Sequence, residues 1–285
     1  MPLADALLAP LGLGFLQRGL EEAVLIGLLC GIIGTYVVLR GMAFLGDAMA
    51  HAVFPGIVIA FLLRVDILLG GLAFGVLTAL GIGAVSQHRR VSSDSAIGVL
   101  FVGAFALGVV LISSIRSYVR DLATILLGDI LGVTSQDLWL TLAVGVLVIA
   151  AVCLFHKEIT LASFDRDMAQ AMGLPIALLD NGLLVLLALV VIVSVQAVGT
   201  VLALAMLVTP AATARLLTDR VVPMMVVAAA LGALSGVAGL YASFYLNIAS
   251  GGAIVLMATA MFFAAWLFAP RDGVWRIRIR QRATP

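Results

Sequence analysis

Residues 42–63 run Met42-Ala-Phe-Leu-Gly-Asp47-Ala-Met-Ala-His51-Ala-Val-Phe-Pro55-Gly-Ile-Val-Ile-Ala-Phe-Leu-Leu63. Apart from Asp47 and His51 the stretch is apolar or small for 22 residues, and about 20 such residues cross the hydrocarbon core of a bilayer as a helix. Eight further runs have the same character, at roughly 15–39, 67–87, 95–115, 138–155, 178–197, 200–217, 221–246 and 251–269. Composition agrees with them. Of 285 residues, 64% are hydrophobic and 11% charged, against about 25% charged in a soluble domain. There is too little polar surface to cover a soluble globule, which excludes a soluble enzyme, a disordered chain and a nucleic-acid binder. The expected fold is all-α, a polytopic transmembrane helical bundle of eight or nine spans in the cell membrane. If one run is re-entrant or only half-spanning, it is 200–217, which is short, contains Pro210 and ends in charge.

The basic residues set the expected orientation, because cytoplasmic loops carry the excess of Lys and Arg. Arg40, His88-Arg89-Arg90, His156-Lys157-Glu158, and Arg215 with Arg220 follow alternate runs, and Arg271, Arg276, Arg278, Arg280 and Arg282 follow the last. This places the C-terminus in the cytoplasm and, with nine spans, the N-terminus outside. Arg116 and Arg120 then lie outside, balanced by Asp121, Asp129 and Asp137. The chain divides into an N-terminal segment 1–14, a transmembrane domain 15–270 and a basic cytoplasmic tail 271–285. The tail suits an anchor on anionic lipid. The start, Met1 to Gly14, lacks the basic region of a cleavable signal peptide. Cys30 and Cys153 both fall inside apolar runs and are expected as buried small hydrophobes, not a disulfide. Gly27 and Gly31, Gly71 and Gly75, Gly128 and Gly132, and Gly232 and Gly236 are each four apart, the spacing that lets helix backbones approach closely in lipid.

Asp47 and His51 are also four apart, so they share one helix face. With a span starting near Gly41, a rise of 1.5 Å per residue puts His51 roughly 15 Å deep, near the middle of a ~30 Å core. An ionisable pair at that depth is costly unless satisfied, and by default it marks a site or pathway. One carboxylate oxygen and one imidazole nitrogen suit divalent Mn, Fe or Zn. Two ligands are too few for a tight site, and a symmetric dimer with the pathway on its axis would supply two Asp and two His. Pro55 has no N–H, so the His51 carbonyl loses its helical partner and is available to a metal or water. An Asp–His hydrogen bond that packs two helices, or a proton relay, would use the same residues.

Between the fifth and sixth runs, Ser163-Phe164-Asp165-Arg166-Asp167-Met168-Ala-Gln-Ala171-Met172-Gly173-Leu174-Pro175 carries complete helix punctuation. Ser163 or Asp165 can cap the start, Asp167 suits the positive end of the dipole, Gly173 can close the end and Pro175 stops continuation. Phe164, Met168, Ala171 and Met172 form one apolar stripe. Such a helix lies on the bilayer or docks into a groove on a cytosolic partner. With Arg166 as its single basic residue, a protein partner is the better expectation. The chain's one lysine, Lys157, lies in no phosphate-binding loop, and no His-Glu-x-x-His or Gly-x-Ser-x-Gly sequence occurs. No catalytic constellation is expected.

The segments Arg40-Gly41-Met42, Gly46-Asp47-Ala48 and His51-Ala-Val-Phe-Pro55-Gly56 resemble the membrane permease subunit of the manganese/zinc/iron ABC transporters. Asp94-Ser-Ala-Ile-Gly-Val-Leu-Phe101, Leu126-Leu-Gly-Asp-Ile-Leu-Gly-Val133, Phe164-Asp165 to Gly173-Leu-Pro175, Thr209-Pro-Ala-Ala-Thr-Ala214 and Tyr245 to Gly252 extend the resemblance over nearly the whole chain. It implies an importer of Mn2+, Zn2+ or Fe2+ driven by ATP hydrolysis on a separate subunit, with no permanently bound cofactor. The implied partners are a second permease copy, two cytosolic ATP-binding subunits and an extracytoplasmic metal-binding protein. It also implies metal coordination at Asp47 and His51. The segment about 163–175, with Phe164, Asp165, Met168, Ala171 and Gly173, would be the helix coupled to the ATPase. Phe54 and Gly251-Gly252 depart from the family's commoner residues without touching the proposed ligands. A proton-coupled secondary metal transporter is the alternative, and it needs no 163–175 helix. An intramembrane enzyme using Asp47 and His51 as acid and base lacks a nucleophile partner.

Overall fold

A computed structural model describes residues 12–87, 90–113 and 130–269. Most of the N-terminal segment, the basic tail, His88, Arg89, Arg116, Arg120, Asp121, and the first half of the Leu126–Val133 motif with Gly128 and Asp129 lie outside the described residues. Every element within them is helical: α1 (Gly14–Leu39), α2 (Ala43–Ala52), α3 (Phe54–Leu63), α4 (Ile67–Ser86), α5 (Ser93–Ser113), a 3-10 turn (Ile130–Gly132), α6 (Ser135–Phe164), α7 (Arg166–Ala171), α8 (Ile176–Val198), α9 (Thr200–Leu217), α10 (Val221–Leu246) and α11 (Ser250–Phe268). Taking α2 and α3 together, nine segments among the described residues are long and apolar enough to cross a membrane. Lipid offers backbone groups no hydrogen bonds, so a helix that satisfies them internally is what an apolar run of this length must form there.

The helix ends follow the local chemistry. Asp66 caps α4, its side chain accepting from the backbone N–H of Leu68 at 2.8 Å. Thr134 and Asp137 cap α6 reciprocally: the Thr134 N–H donates to Asp137 Oδ2 at 2.9 Å and the Asp137 N–H to Thr134 Oγ1 at 3.3 Å. The run 200–217 forms the uninterrupted 18-residue helix α9 in spite of Pro210. At 1.5 Å per residue it spans about 27 Å, so its shortness does not break it.

Two sequence expectations are corrected. His156-Lys157-Glu158 lie inside α6 rather than in a loop after it. Lys and Glu are good helix formers, and no Gly or Pro intervenes before Gly173. The apolar run therefore ends while the helix continues to Phe164, 30 residues in all, with a non-helical Phe155 (φ −106°, ψ 16°) just before the charges. Cys153 is exposed, unlike Cys30, which is buried, because its place on α6 faces away from the core.

The chain gathers into two compact units. One comprises residues 1–38, 129–142 and 201–285, hence α1, the start of α6, α9, α10 and α11. Within it α1 crosses α10 at the two expected glycine pairs. A Cβ on Gly27 would fall 2.5 Å from the Gly232 carbonyl carbon, and one on Gly31 2.5 Å from the Ala229 nitrogen. Only glycine permits that approach. The same unit fully buries Glu22, whose Oε1 accepts from Thr141 Oγ1 at 2.6 Å.

The other unit comprises residues 39–128 and 143–200. Its helix α4 packs against α3, α5 and α8, and α2 packs against α5 and α8. This unit holds both segments singled out from the sequence.

Candidate metal site

Helices α2 and α3 are one apolar run broken at Val53. Pro55 sits in the first turn of α3, where its missing N–H is harmless to α3 but withholds the donor that the His51 carbonyl would otherwise receive. Val53 itself keeps a helical backbone (φ −71°, ψ −23°). The break is thus a local interruption of the hydrogen-bond ladder, not a reversal. Asp47 and His51 lie on α2, on the N-terminal side of the break.

The two side chains meet as their spacing predicts. His51 Nε2 lies 3.6 Å from Asp47 Oδ1, beyond a normal hydrogen bond yet close enough for both atoms to face one ion. Neither side chain is sealed inside the chain: His51 is 28% and Asp47 34% exposed. The other imidazole nitrogen, Nδ1, is enclosed and has no hydrogen-bond partner. The rings of Phe101 and Phe105, one turn apart on α5, pack on the imidazole with centroids 5.9 and 5.7 Å away. Phe105 in turn stacks on Phe54 at 5.8 Å. Phe54 therefore reaches the His51 imidazole through one intervening ring, a connection its position in sequence does not reveal. Gly108 leaves the room for it, since a Cβ there would fall 2.3 Å from the Phe54 ring.

Among the described residues no group of three or more His, Cys, Asp and Glu side chains comes together. The arrangement offers one nitrogen and one oxygen on an open face, backed by aromatic rings. It can hold a divalent ion only with ligands from elsewhere, such as water or another chain. An imidazole or carboxylate alone in lipid would be costly, and a half-exposed pair lining a wet path is not.

The second segment folds as its punctuation predicts. Asp165 caps α7, accepting from the Met168 N–H at 2.9 Å. Gly173 has φ +76°, and the C-terminal bonds run from the Gly173 N–H to the Gln170 carbonyl (2.9 Å) and from the Leu174 N–H to the Ala169 carbonyl (3.1 Å), a Schellman closure. Phe164, Met168, Ala171 and Met172 are all exposed while Ala169 is buried. The apolar stripe points away from the chain. Ser163 is not the cap; its hydroxyl donates to the Ile159 carbonyl.

Some contacts were not foreseen. Arg40, next to Gly41 at the approach to α2, donates from Nη1 to Asp180 Oδ1 at 2.6 Å and from Nε to Ser163 Oγ at 2.9 Å. Arg166 of α7 pairs with the other oxygen of Asp180. Glu22 was equally unmarked, although a carboxylate eight residues into an apolar helix is a signal that sequence alone carries.

Nine apolar segments among the described residues, one of them broken beside an open Asp–His pair, define a multi-pass membrane protein. The chain is similar to the manganese transport system membrane protein MntC of Halalkalibacterium halodurans, 47% identical over 270 residues covering 93% of this chain and 92% of that one. It is similar also to the manganese import system permease protein ScaB of Streptococcus parasanguinis, 42% identical with 90% and 92% covered. Among solved structures, PsaBC from Streptococcus pneumoniae in complex with a Fab matches with a TM-score of 0.84 at 36% identity, covering 97% of this chain and 99% of that one. Residues 13–269 match the ABC 3 transport family, and the chain belongs to it as a membrane permease subunit of the manganese/zinc/iron ABC transporters. It is accordingly a multi-pass protein of the cell membrane.

Proposed function

We propose that this chain is the permease of an ATP-driven importer of divalent transition-metal ions, with Mn2+ as the cargo and Asp47 and His51 as its ligands in the pathway. The observation that carries the reading is the Asp47–His51 pair: two ligands 3.6 Å apart, partly exposed, with no third joining them among the described residues. A second permease copy facing the first across this open side would complete a set of two carboxylates and two imidazoles. Manganese is favoured because the similar proteins MntC and ScaB are named for it. Zn2+ and Fe2+ suit the same donors. Two cytosolic ATP-binding subunits would dock on the exposed stripe of α7, and an extracytoplasmic metal-binding protein would deliver the ion.

The test is uptake by proteoliposomes that contain the permease with its ATPase subunits, with ATP trapped inside and Mn2+ and the delivery protein outside. ATP-dependent accumulation, lost in Asp47→Ala and His51→Ala, is expected. Uptake by the permease alone under a pH gradient, without ATP, would overturn the reading in favour of a proton-coupled carrier.

A further inference from the structure

The exposed helix α7 and the metal-bearing helix α2 are joined through one carboxylate. Asp180, in the second turn of α8, divides its two oxygens between them. Oδ1 accepts from Arg40 Nη1 at 2.6 Å, and Oδ2 pairs with Arg166. Arg40 stands two residues before the N-cap of α2's first turn, where Gly41 takes φ +68° and Met42 precedes the helix. Its Nε also donates to Ser163 Oγ at the end of α6, and its Nη2 is enclosed and unpartnered. Arg166 opens α7 and is 64% exposed, whereas Arg40 and Asp180 are 12% and 19% exposed. The inner half of the relay is therefore fixed, and its outer half is reachable.

These groups form one wall of a polar cavity of about 370 Å³, also lined by Gln87, Ser92 and Asp94. The approach to α2 is not clamped by close-packed side chains on this side. Its charged link to the neighbouring helix ends is the Asp180 carboxylate, and the cavity leaves that link room to change length. A displacement of α7 acts on Arg166, through Asp180 on Arg40, and through the Arg40–Met42 turn on the helix that carries Asp47 and His51. Packing alone would not require one carboxylate to bind an arginine from each of these two segments.

We propose that Asp180 is a positioning residue that transmits the state of α7 to the start of α2, coupling events at the docking helix to the Asp47–His51 pair. This rests on the permease reading above. It assigns no metal contact to Asp180, Arg40 or Arg166.

The experiment uses the whole complex in proteoliposomes and measures three quantities for each variant: ATPase subunit recovered with the permease, ATP hydrolysed, and Mn2+ accumulated. Arg166→Gln cuts only the exposed arm and leaves the Arg40–Asp180 pair in place. Asp180→Asn weakens both arms, and Asp180→Glu keeps the charge. Normal recovery and continuing hydrolysis are expected for Arg166→Gln and Asp180→Asn, with Mn2+ transported per ATP reduced about fivefold or more, as for a lost coupling of ordinary size. Asp180→Glu is expected to restore much of the ratio. An unchanged ratio in Arg166→Gln would overturn the relay and leave the cluster a purely structural tie. Loss of ATPase recovery in that variant would overturn it too, by making Arg166 a docking contact. If the wild-type complex itself gives no ATP-dependent uptake, the permease reading fails instead, so the two failures are separable.

Discussion

His51 presents a chemical asymmetry. Nε2 faces Asp47, while Nδ1 is enclosed without a partner. If Nε2 is to bind a cation, the neutral ring must carry its proton on Nδ1, and an enclosed N–H with no acceptor costs about 1–3 kcal/mol. Asp47→Ala and His51→Ala should each reduce Mn2+ transport by more than the roughly 10–100-fold that losing an outer partner of a ligand costs, with membrane insertion unchanged. Uptake assays beside quantitation of membrane-inserted protein decide this, and wild-type uptake by either variant would remove the pair from the pathway. Thr141 offers a contrasting residue. Its hydroxyl is a hydrogen-bond donor to the buried Glu22, so Thr141→Val should destabilise the fold by about 1–3 kcal/mol. A lowered melting temperature in detergent, with residual transport intact at low temperature, is the expected outcome.

At the scale of elements, the sequence was most legible where a rule is local. The cap at Asp165 and the positive φ of Gly173 each depend on residues within one or two turns, and each forms as expected; the division of the 42–63 run at Val53, just before Pro55, is equally local but was not anticipated. The end of α6 was misread because hydropathy marks where a helix leaves lipid, not where it stops. Two predictions belong here. Pro55→Ala returns a donor to the His51 carbonyl, so α2 and α3 should merge into a straighter helix and transport should slow with the protein still folded. An unaltered rate would make the freed carbonyl incidental. Gly173→Val puts a β-branched residue at φ +76°, a conformation costing an L-residue roughly 1–2 kcal/mol. That should distort the end of α7 and reduce ATPase recovery. Phe164→Asp should do the same by placing a charge on the exposed stripe. Full recovery with normal coupling in both would show that α7 merely rests on lipid.

For the molecule as a whole, the number of spans was readable to within one, and their partners were not. A helix that is apolar all round carries no stripe to show which face meets which neighbour. The pairs that join distant segments, Arg40 with Asp180 and Glu22 with Thr141, are 140 and 119 residues apart, beyond any local rule. The glycine pairs were an exception, because close approach requires their small size wherever the partner lies. Gly27→Val would set a side chain 2.5 Å from backbone atoms of Gly232. Neither helix can yield without parting from the other, so the variant should be recovered in much lower yield. Wild-type yield and melting temperature would refute the crossing.

The outward-facing thiol of Cys153 has a practical side. It lies two residues before the Phe155 bend, while Cys30 is buried. A lipid-permeant maleimide dye should therefore label the chain at one native position, with no engineered cysteine. Placed just ahead of the bend, the dye reports any change of direction in α6 as a shift in its emission or anisotropy. Comparing that signal with and without nucleotide would show whether the angle at Phe155 changes, in the unmodified sequence.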